Sequence, residues 1–247
     1  MLPVVELIRD FVNRHPILIG IKDTKPAKFV KSYLNQQYLD GRRKQVQKYG
    51  YEIVEFMYKI ALQMNVDIWI DWGTFLGYYR EGKILEHDYD LDFSTWKKDK
   101  VFHQKLKKNI LENRAQLVRE FCYNGEVITE TYCYKNILFD VEYYETDGKQ
   151  IWTYSFDLAK ETVLVQTRKK QIIKGMNLYI FYTDSLDFKE GTFTNGVKCC
   201  VPLDAEKRVI ELYGKDWHLP VKEYCWQDLK NYKFCGFQSK VTGWRLK

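Results

Sequence analysis

Three aspartates near the middle of the chain alternate with apolar or aromatic residues, in the run Asp88-Tyr89-Asp90-Leu91-Asp92. On a β-strand, residues two apart point to the same face, so a rise of about 3.3 Å per residue places Asp90 and Asp92 roughly 6.6 Å apart at the backbone. Two carboxylates at that spacing can hold a hard divalent cation, Mg²⁺ or Mn²⁺, which prefers oxygen ligands. Asp88 would lie roughly 13 Å from Asp92 by the same rise, so we do not expect it to share the ion.

The acidic run on its own also fits a solvent-facing edge strand with acidic side chains. The residues before it favour a site that binds phosphate. Gly73 and Thr74 follow a hydrophobic strand and open a turn, where backbone N–H groups and a hydroxyl can reach a phosphate. Arg80 and Lys83 add positive charge close to that turn. We therefore predict that these four residues bind the substrate.

A third carboxylate is expected from a later β-rich run, 137–143. Asp140 and Glu142 share one face of that run, whose other face is apolar. We predict that Asp140 completes the metal site, as a ligand or as the base that takes a proton, and that Glu142 supports it. A Gly–hydroxyl turn, an Asp-x-Asp strand and a later strand acid form the layout of nucleotidyltransferases, which position metal-bound phosphates for in-line displacement.

Two features close to these acids have open interpretations. His87 adjoins the acidic strand, and it either contacts the substrate or is a polar loop residue with no role. A group of aromatic residues could stack on a cytosine or sugar ring, although packing within the sheet is favoured because strands are rich in aromatics. The group consists of Tyr132, Tyr134, Tyr143, Tyr144, Trp152 and Tyr154.

Hydrophobic periodicity predicts the elements that must position these side chains. Apolar residues at three- and four-residue steps indicate helices, and alternation or Asn-Gly and Asp-Gly turns indicate strands and hairpins. The predicted helices cover 42–65, 102–115 and 203–213, the last ended by Gly214. The predicted strands cover 66–71 and 88–93, separated by a turn into a short helix, and continue in hairpins at Asn124-Gly125 and Asp147-Gly148.

Helices first, then a mixed sheet, then a closing helix make the predicted fold class α+β. The chain has no internal repeat and no Gly/Ser linker. Residues 1–40 hold three of the five prolines and are predicted to form an N-terminal helix and arm. Residues 41–247 are predicted to form a single catalytic domain.

Composition and length exclude several classes of protein. With 19 Tyr, 14 Phe and 7 Trp among 247 residues, the chain is too rich in aromatics to be disordered. Its net charge of +6 is too small and diffuse to predict a nucleic-acid partner. No apolar run is long enough for a membrane helix, no secretion signal is evident, and the six cysteines form no CxxC pair. We therefore expect a soluble, cytoplasmic enzyme with reduced thiols; a link to a membrane would be peripheral, through a membrane-linked pathway.

The stretch from Gly73 to Asp92 resembles the LicD family, which includes bacterial phosphorylcholine transferases and the fukutin and fukutin-related proteins. The family pattern runs roughly Gly-Gly-[Thr/Ser]-Leu-Leu-Gly, an Arg three residues on, and then Ile-Pro-Trp-Asp-x-Asp-x-Asp. The chain fits it without a gap from Arg80 onward. A second resemblance lies near the C-terminus, in Val201-Pro202-Leu203 and Tyr213-Gly214-Lys215-Asp216-Trp217-His218-Leu219-Pro220. Two departures stand out: Trp72 replaces the family's first Gly, and Glu86-His87 replaces its Pro-Trp.

The resemblance implies a polymerase-β-like nucleotidyltransferase core, a mixed sheet with flanking helices, preceded by the N-terminal helical segment. It also implies transfer of a phospho-alcohol group from a CDP-linked donor to a glycan hydroxyl, with release of CMP. In that scheme Asp90, Asp92 and Asp140 hold Mg²⁺ or Mn²⁺ and carry catalysis. The substrate-binding residues are Gly73, Thr74, Arg80, Lys83 and His87.

Two other functions stay open at this point. The chain could instead move a nucleotide from an NTP to a small molecule or sugar phosphate, which would release pyrophosphate rather than CMP. It could also be a catalytically degenerate member that only binds a glycan or nucleotide, although retention of all three acids speaks against this. The sequence does not choose the alcohol, the acceptor glycan or the oligomeric state.

Overall fold

A computed structural model describes residues 25–184, 186–219 and 226–246. The helices in these residues are α1 (Lys25–Met64), α2 (Trp72–Glu81), α3 (Lys100–Glu112) and α4 (Ala205–Tyr213), with a 3₁₀ turn at Trp226–Asp228. The strands are β1 (Ile68–Ile70), β2 (Asp90–Trp96), β3 (Gln116–Tyr123), β4 (Glu126–Tyr134), β5 (Ile137–Thr146), β6 (Ile151–Asp157), β7 (Val163–Gln166), β8 (Lys170–Thr183), β9 (Phe188–Thr192), β10 (Lys198–Pro202) and β11 (Tyr232–Leu246).

Nine of these strands form one sheet, and six of the nine close into a ring. The ring runs β5-β4-β3-β11-β8-β6 and returns to β5, where Glu145 faces Trp152 and Thr146 faces Ile151. β1 and β2 extend the sheet beyond β5, β7 joins β8, and β9 and β10 form a separate hairpin. Among the described strands, only β2 and β5 pair in parallel.

The predicted fold class is wrong. The described chain is mostly antiparallel β with a closed six-stranded sheet and few helices, not an α+β polymerase-β-like nucleotidyltransferase core. Two long-range features account for the error: the return of β6 to β5 and the 15-residue strand β11, which pairs with β3 and β8. Local periodicity indicates that strands exist, but it does not indicate which distant edges pair. The prediction ended the chain with α4 and missed β11.

Several local predictions are confirmed. The helix predicted over 42–65 is the second part of α1, and its buried stripe includes Val46, Ile53, Met57 and Ile60. Hairpins turn at Asn124-Gly125 and at Asp147-Gly148, where both glycines have positive φ. The closing helix is α4, ended by Gly214.

The predicted domain division is not decided by these elements. The part of the N-terminal segment up to residue 24 lies outside the described residues, while α1 continues through residue 40 without a break. The division into 1–40 and 41–247 stays a prediction.

The larger buried cluster lies between α1 and the β1-β2-β5 part of the sheet, and a smaller one, which includes Phe121, Ile173 and Val241, lies among the ring strands. Trp69 is fully buried and stacks on Phe188 at 4.4 Å between ring centroids. Tyr132, Tyr143 and Tyr144 are also buried, so for these three aromatics the preferred packing interpretation is confirmed. In the described part of the chain, no helix has the length and apolar character needed to span a lipid bilayer.

Candidate active site

Strand register lines up four polar residues across the sheet. Asp92 on β2 stands beside Asp140 on β5, Asp140 beside Thr131 on β4, and Thr131 beside Arg119 on β3. Asp90 lies two residues before Asp92 on the same strand and therefore faces the same way. The structure thus brings the three predicted acids, Asp90, Asp92 and Asp140, to one face of the sheet.

The first turn of helix α2 is tied to the middle of this row. The Gly73 N–H donates to Asp92 Oδ2 at 3.1 Å, and the Asp92 N–H donates to Thr74 Oγ1 at 2.8 Å. Thr74 is fully buried, so its hydroxyl fixes β2 against the start of α2. Gly73 lies at the acids, and its N–H is already bonded to Asp92. The phosphate-binding roles of Gly73 and Thr74 stay predictions.

Asp88 lies just before β2, which begins at Asp90, so strand spacing does not describe its position. Its carboxylate nevertheless approaches that of Asp92. A Cβ added to Gly73 would lie 3.3 Å from Asp92 Oδ2 and 3.8 Å from Asp88 Oδ1, so both carboxylates face the same glycine. Asp88 Oδ2 is buried and has no hydrogen-bond partner in the described part of the chain.

Burial and mutual repulsion make these carboxyl groups hard to ionise. Burial, and then the charge of Asp140, raises the pKa of Asp90 to about 6. Burial, and then the charge of Asp90, raises the pKa of Asp88 to about 7. The pKa of Asp92 is raised well above its ordinary value by burial and by the charges of Asp90 and Asp140. A cation bound between these carboxyl groups would relieve the repulsion among their negative charges.

Asp140 is engaged by residues that sequence reasoning missed. Thr131 Oγ1 donates a hydrogen bond to Asp140, and Arg119 Nη2 donates to Asp140 Oδ1 at 3.3 Å. Arg119 Nε also donates to Thr131 Oγ1 at 2.8 Å. Within the described residues, no three acidic, histidine or cysteine side chains are already arranged around one point as a ligand set.

The predicted basic residues lie at the C-terminal end of α2 and just after it. Arg80 Nη2 pairs with Glu81 at 3.2 Å, and Lys83 Nζ lies 3.5 Å from Glu81 and 3.6 Å from Glu86. His87 is exposed, and its carbonyl accepts a hydrogen bond from Arg43 Nε at 3.0 Å. Arg80 is close enough for its charge to act on Asp88. Substrate binding by Arg80, Lys83 and His87 stays a prediction.

Trp72 occupies a backbone conformation that favours glycine. Its φ is 43°, in the left-handed region, where a bulky residue costs about 1–3 kcal/mol. The indole Nε1 donates to Glu142 Oε2 at 2.9 Å, and the ring packs on Phe181 and Tyr232. These contacts stabilise the tryptophan at a position where the LicD pattern usually has glycine. Burial, and then the charge of Asp71, raises the pKa of Glu142 to about 8.

The sequence also did not indicate a buried ion pair between Arg208 and Asp71, which holds the residue just before α2. Arg208 on α4 is buried and its Nη2 donates to both oxygens of Asp71 at 2.8 Å. The same nitrogen donates to the Tyr144 hydroxyl at 2.6 Å, and Ser94 Oγ donates to Asp71 at 2.9 Å. Asp71 directly precedes Trp72 and Gly73, so this network joins the C-terminal helix to the site. The two partners stand 137 positions apart in sequence, so no local pattern indicates the pair.

A cavity of about 350 Å³ opens beside Asp140. This volume is within the roughly 300–1,000 Å³ range of small-molecule pockets. Its polar lining includes Arg119, Asp140 and Glu142. Its aromatic lining consists of Trp72, Tyr154, Phe156, Tyr213, Trp226 and Tyr232. Carboxylates beside flat aromatic faces suit a ligand with hydroxyl groups and an apolar ring face.

Known proteins match this chain over the region that builds the site. The chain is 24% identical to a mouse protein named "Ribitol-5-phosphate transferase FKTN" over 218 residues, covering 86% of this chain and 42% of the mouse protein. It is 22% identical to the human protein of the same name over 200 residues, covering 78% of this chain and 39% of the human protein. The chain therefore spans less than half the length of these relatives.

A family match covers the three acids, Gly73 and most of the six-stranded ring. Residues 65–194, more than half the chain, match the family described as "LicD/FKTN/FKRP, nucleotidyltransferase domain". The match includes Gly73, Asp90, Asp92 and Asp140, and it confirms the resemblance found in the sequence. The chain belongs to the LicD/FKTN/FKRP family.

Proposed function

We propose that this protein transfers a phospho-alcohol group from a CDP-linked donor to a hydroxyl of a glycan and releases CMP. The observation that carries the proposal is the half-buried face shared by Asp90, Asp92 and Asp140 in a chain of this family. The name of the fukutin relatives makes phosphoribitol the first alcohol to test. Phosphoglycerol and phosphocholine are the other candidates.

Metal dependence is part of the proposal. The oxygen ligands suit a hard cation, because Asp90 and Asp92 are half-buried carboxyl groups with raised pKa values. Asp88 Oδ2 is buried and has no hydrogen-bond partner among the described residues. Asp90, Asp92 and Asp140 would hold Mg²⁺ or Mn²⁺, and the bound ion would supply Lewis-acid stabilisation of charge on the phosphate. The Gly73 N–H keeps Asp92 oriented for this role.

Asp140 stands where the acceptor would be activated. Its carboxylate accepts hydrogen bonds from Thr131 and Arg119, which fix its direction at the edge of the cavity. We infer that the acceptor sugar lies in this cavity against Trp72, with its attacking hydroxyl donating to Asp140. The lining has two carboxyl groups and one guanidinium, which suits a neutral sugar better than a diphosphate. The proton of the hydroxyl passes to Asp140 as the oxygen attacks phosphorus.

Transfer is tested by incubating the protein with CDP-ribitol, CDP-glycerol or CDP-choline and a panel of oligosaccharides, and by measuring CMP. We expect CMP release that EDTA stops and Mg²⁺ restores. Asp90→Asn and Asp92→Asn should each lower the rate at least about 100-fold, since each removes charge that faces the reacting phosphate.

Asp99→Asn is the matched control for these variants. Asp99 caps α3 by accepting from the Phe102 N–H, and asparagine caps helices equally well. A near wild-type rate in Asp92→Asn would contradict the role of the acids. Pyrophosphate release from an NTP would favour nucleotidyl transfer, and absence of any product or nucleotide binding would favour a binding module.

A further inference from the structure

Arg42 continues the buried stripe of α1 toward the acids. It stands four residues before Val46, one turn along the same face of the helix, and it is only 6% exposed. The neighbouring residues bind the loop that leads into β2: Arg43 Nε donates to the His87 carbonyl, and Gln47 Nε2 donates to the Leu85 carbonyl at 2.8 Å. Arg42 therefore lies beside the loop that carries Asp88 and leads to Asp90 at the start of β2.

Two nitrogens of the Arg42 guanidinium lack hydrogen-bond partners within the described part of the chain. They are Nε and Nη2, and both are buried. Buried guanidinium groups are normally bonded, because an unbonded buried donor costs free energy. Nε and one Nη together form the side of the guanidinium that binds a carboxylate or phosphate with two parallel hydrogen bonds. The open edge of Arg42 thus has the geometry that an oxyanion requires.

The surroundings of Arg42 favour a phosphate ligand over a protein carboxylate. Its carbon Cζ lies 5.3 Å from the centre of the Tyr89 ring and 5.7 Å from that of Tyr38. Asp90 is close enough for the Arg42 charge to act on its pKa, but Nε and Nη2 of Arg42 donate no hydrogen bond to it. Tyr89 is 38% exposed, so a ligand from solvent would reach the guanidinium past its ring.

We propose that Arg42 is a phosphate-binding residue of the site, taking an oxygen pair of the donor diphosphate opposite Asp90. The proposal rests on the proposed transfer reaction for the identity of the phosphate. Arg42 lies on α1, outside the family-matched region 65–194. In this arrangement, two hydrogen bonds from Arg42 orient the diphosphate, and Asp90 faces it from the opposite side.

The test compares Arg42→Gln with Arg43→Gln in titrations with CDP, inorganic pyrophosphate and ribose 5-phosphate in the presence of Mg²⁺. Arg43 is the matched control, because it is the next residue on α1 and has partners in His87 and Asp40. Arg42→Gln should raise the dissociation constant for CDP at least tenfold, and Arg43→Gln should change it less than threefold. Arg42→Lys should stay well short of wild-type affinity, since an ammonium group cannot form the paired bonds.

Thermal unfolding separates binding from structural damage. Arg42→Gln should be no less stable than wild type without ligand, because it removes a buried charge that lacks hydrogen bonds, and it should lose most of the stabilisation by CDP. An equal loss of affinity in both variants, or unchanged affinity in Arg42→Gln, would overturn the proposal. So would failure of the wild type to bind any of the three probes.

The outcomes for the transfer reaction are distinct from these. If no donor yields CMP but CDP binding still depends on Arg42, the transfer proposal fails and the phosphate site stands. If transfer proceeds and Arg42→Gln keeps the wild-type KM for the donor, the phosphate site fails and the transfer stands. A response to CDP but not to ribose 5-phosphate identifies the nucleotide donor as the source of the phosphate.

Discussion

Gly73 lacks a side chain at a point where the carboxylates of two half-buried aspartates, Asp88 and Asp92, approach the backbone. Its N–H donates to Asp92 Oδ2, and the space that a Cβ would take lies between Asp92 and Asp88. Asp92 has little freedom to move, since its carboxylate accepts from the Gly73 N–H and its own N–H is bonded to Thr74. At this position, the absence of a side chain keeps the acids at the spacing that the site needs.

Gly73→Ala should therefore lower activity by more than tenfold while the protein still folds. The added Cβ would meet Asp92 Oδ2 at 3.3 Å, which is a tight contact, and small displacements of catalytic groups are costly to rate. CMP release and thermal unfolding are measured together. Gly41→Ala is the control, because nothing lies within 4 Å of its added Cβ and alanine favours a helix, so stability should rise by up to about 1 kcal/mol. Equal activity in the two variants would contradict the crowding argument.

Spacing within one strand was enough to predict the acids, but not their partners. Asp90 and Asp92 are two residues apart, so their shared face follows from strand geometry alone. Arg119 reaches Asp140 only through the β3-β4-β5 register, and Arg208 reaches Asp71 across 137 positions. The sequence marked Arg42 only as the first residue of the predicted helix 42–65, with no role of its own. Such pairings depend on tertiary structure, which one sequence does not show.

At the scale of elements, helix α3 contacts the ring through the buried carboxylate of Glu130. Glu130 on β4 accepts hydrogen bonds from the hydroxyls of Tyr132 and Tyr143 at 2.9 and 2.7 Å. From α3, His103 Nε2 lies 3.0 Å and Lys107 Nζ 2.8 Å from its carboxylate. Burial opposes ionisation of Glu130, but the His103 and Lys107 contacts outweigh it and hold its pKa at about 2. The helix and the strand are therefore joined by a carboxylate that must stay ionised.

This arrangement predicts a specific loss of stability in acid. The folded pKa of about 2 lies below the ordinary 4.5 of glutamate, so Glu130 stabilises the fold at pH values above 4.5, and the contribution disappears as pH falls toward 2. The difference corresponds to about 3 kcal/mol. Urea unfolding of wild type and Glu130→Gln between pH 5 and pH 2.5 should show their stabilities converging as pH falls.

Glu126→Gln serves as the control for the acid titration. Glu126 is on the same strand, but its pair with Lys100 is 3.9 Å long and exposed, and such pairs contribute little. Its unfolding free energy should follow the wild-type curve at every pH. A constant gap between wild type and Glu130→Gln across this range would show that the Glu130 carboxylate does not fasten α3.

Elements could be predicted better than their arrangement. Turn chemistry predicted both hairpins, and periodicity predicted α3, α4 and most of α1, because each signal is local. The closure of the ring, in contrast, depends on pairings between strands far apart in sequence. It depends on β6 meeting β5 and on β11 entering between β3 and β8, and the long strand β11 carries a strand-like pattern that was not recognised.

At the scale of the whole molecule, the family-matched region is not a self-sufficient structure. Residues 65–194 include β1 to β9 but lack α1, β10, α4 and β11. Without β11, the ring is open between β3 and β8, and two strand edges lose their hydrogen-bond partners. Without α4, Asp71 stays buried while its partner Arg208 is gone, and loss of one member of a buried pair costs about 3–5 kcal/mol.

We therefore expect fragment 65–194 to fail to fold, although it contains every acid of the candidate site. The cost of leaving Asp71 unpaired is comparable with the 5–15 kcal/mol total stability of a typical domain, and the opened ring adds to it. A fragment of residues 1–231 separates the two causes, because it keeps Arg208 and lacks only β11; it should also lose cooperative thermal unfolding. Circular dichroism melting and the dispersion of amide NMR signals, compared with those of the full chain, are the measurements. A dispersed spectrum and a sigmoidal melt for 65–194 would mean that the site assembles without β11 and Arg208.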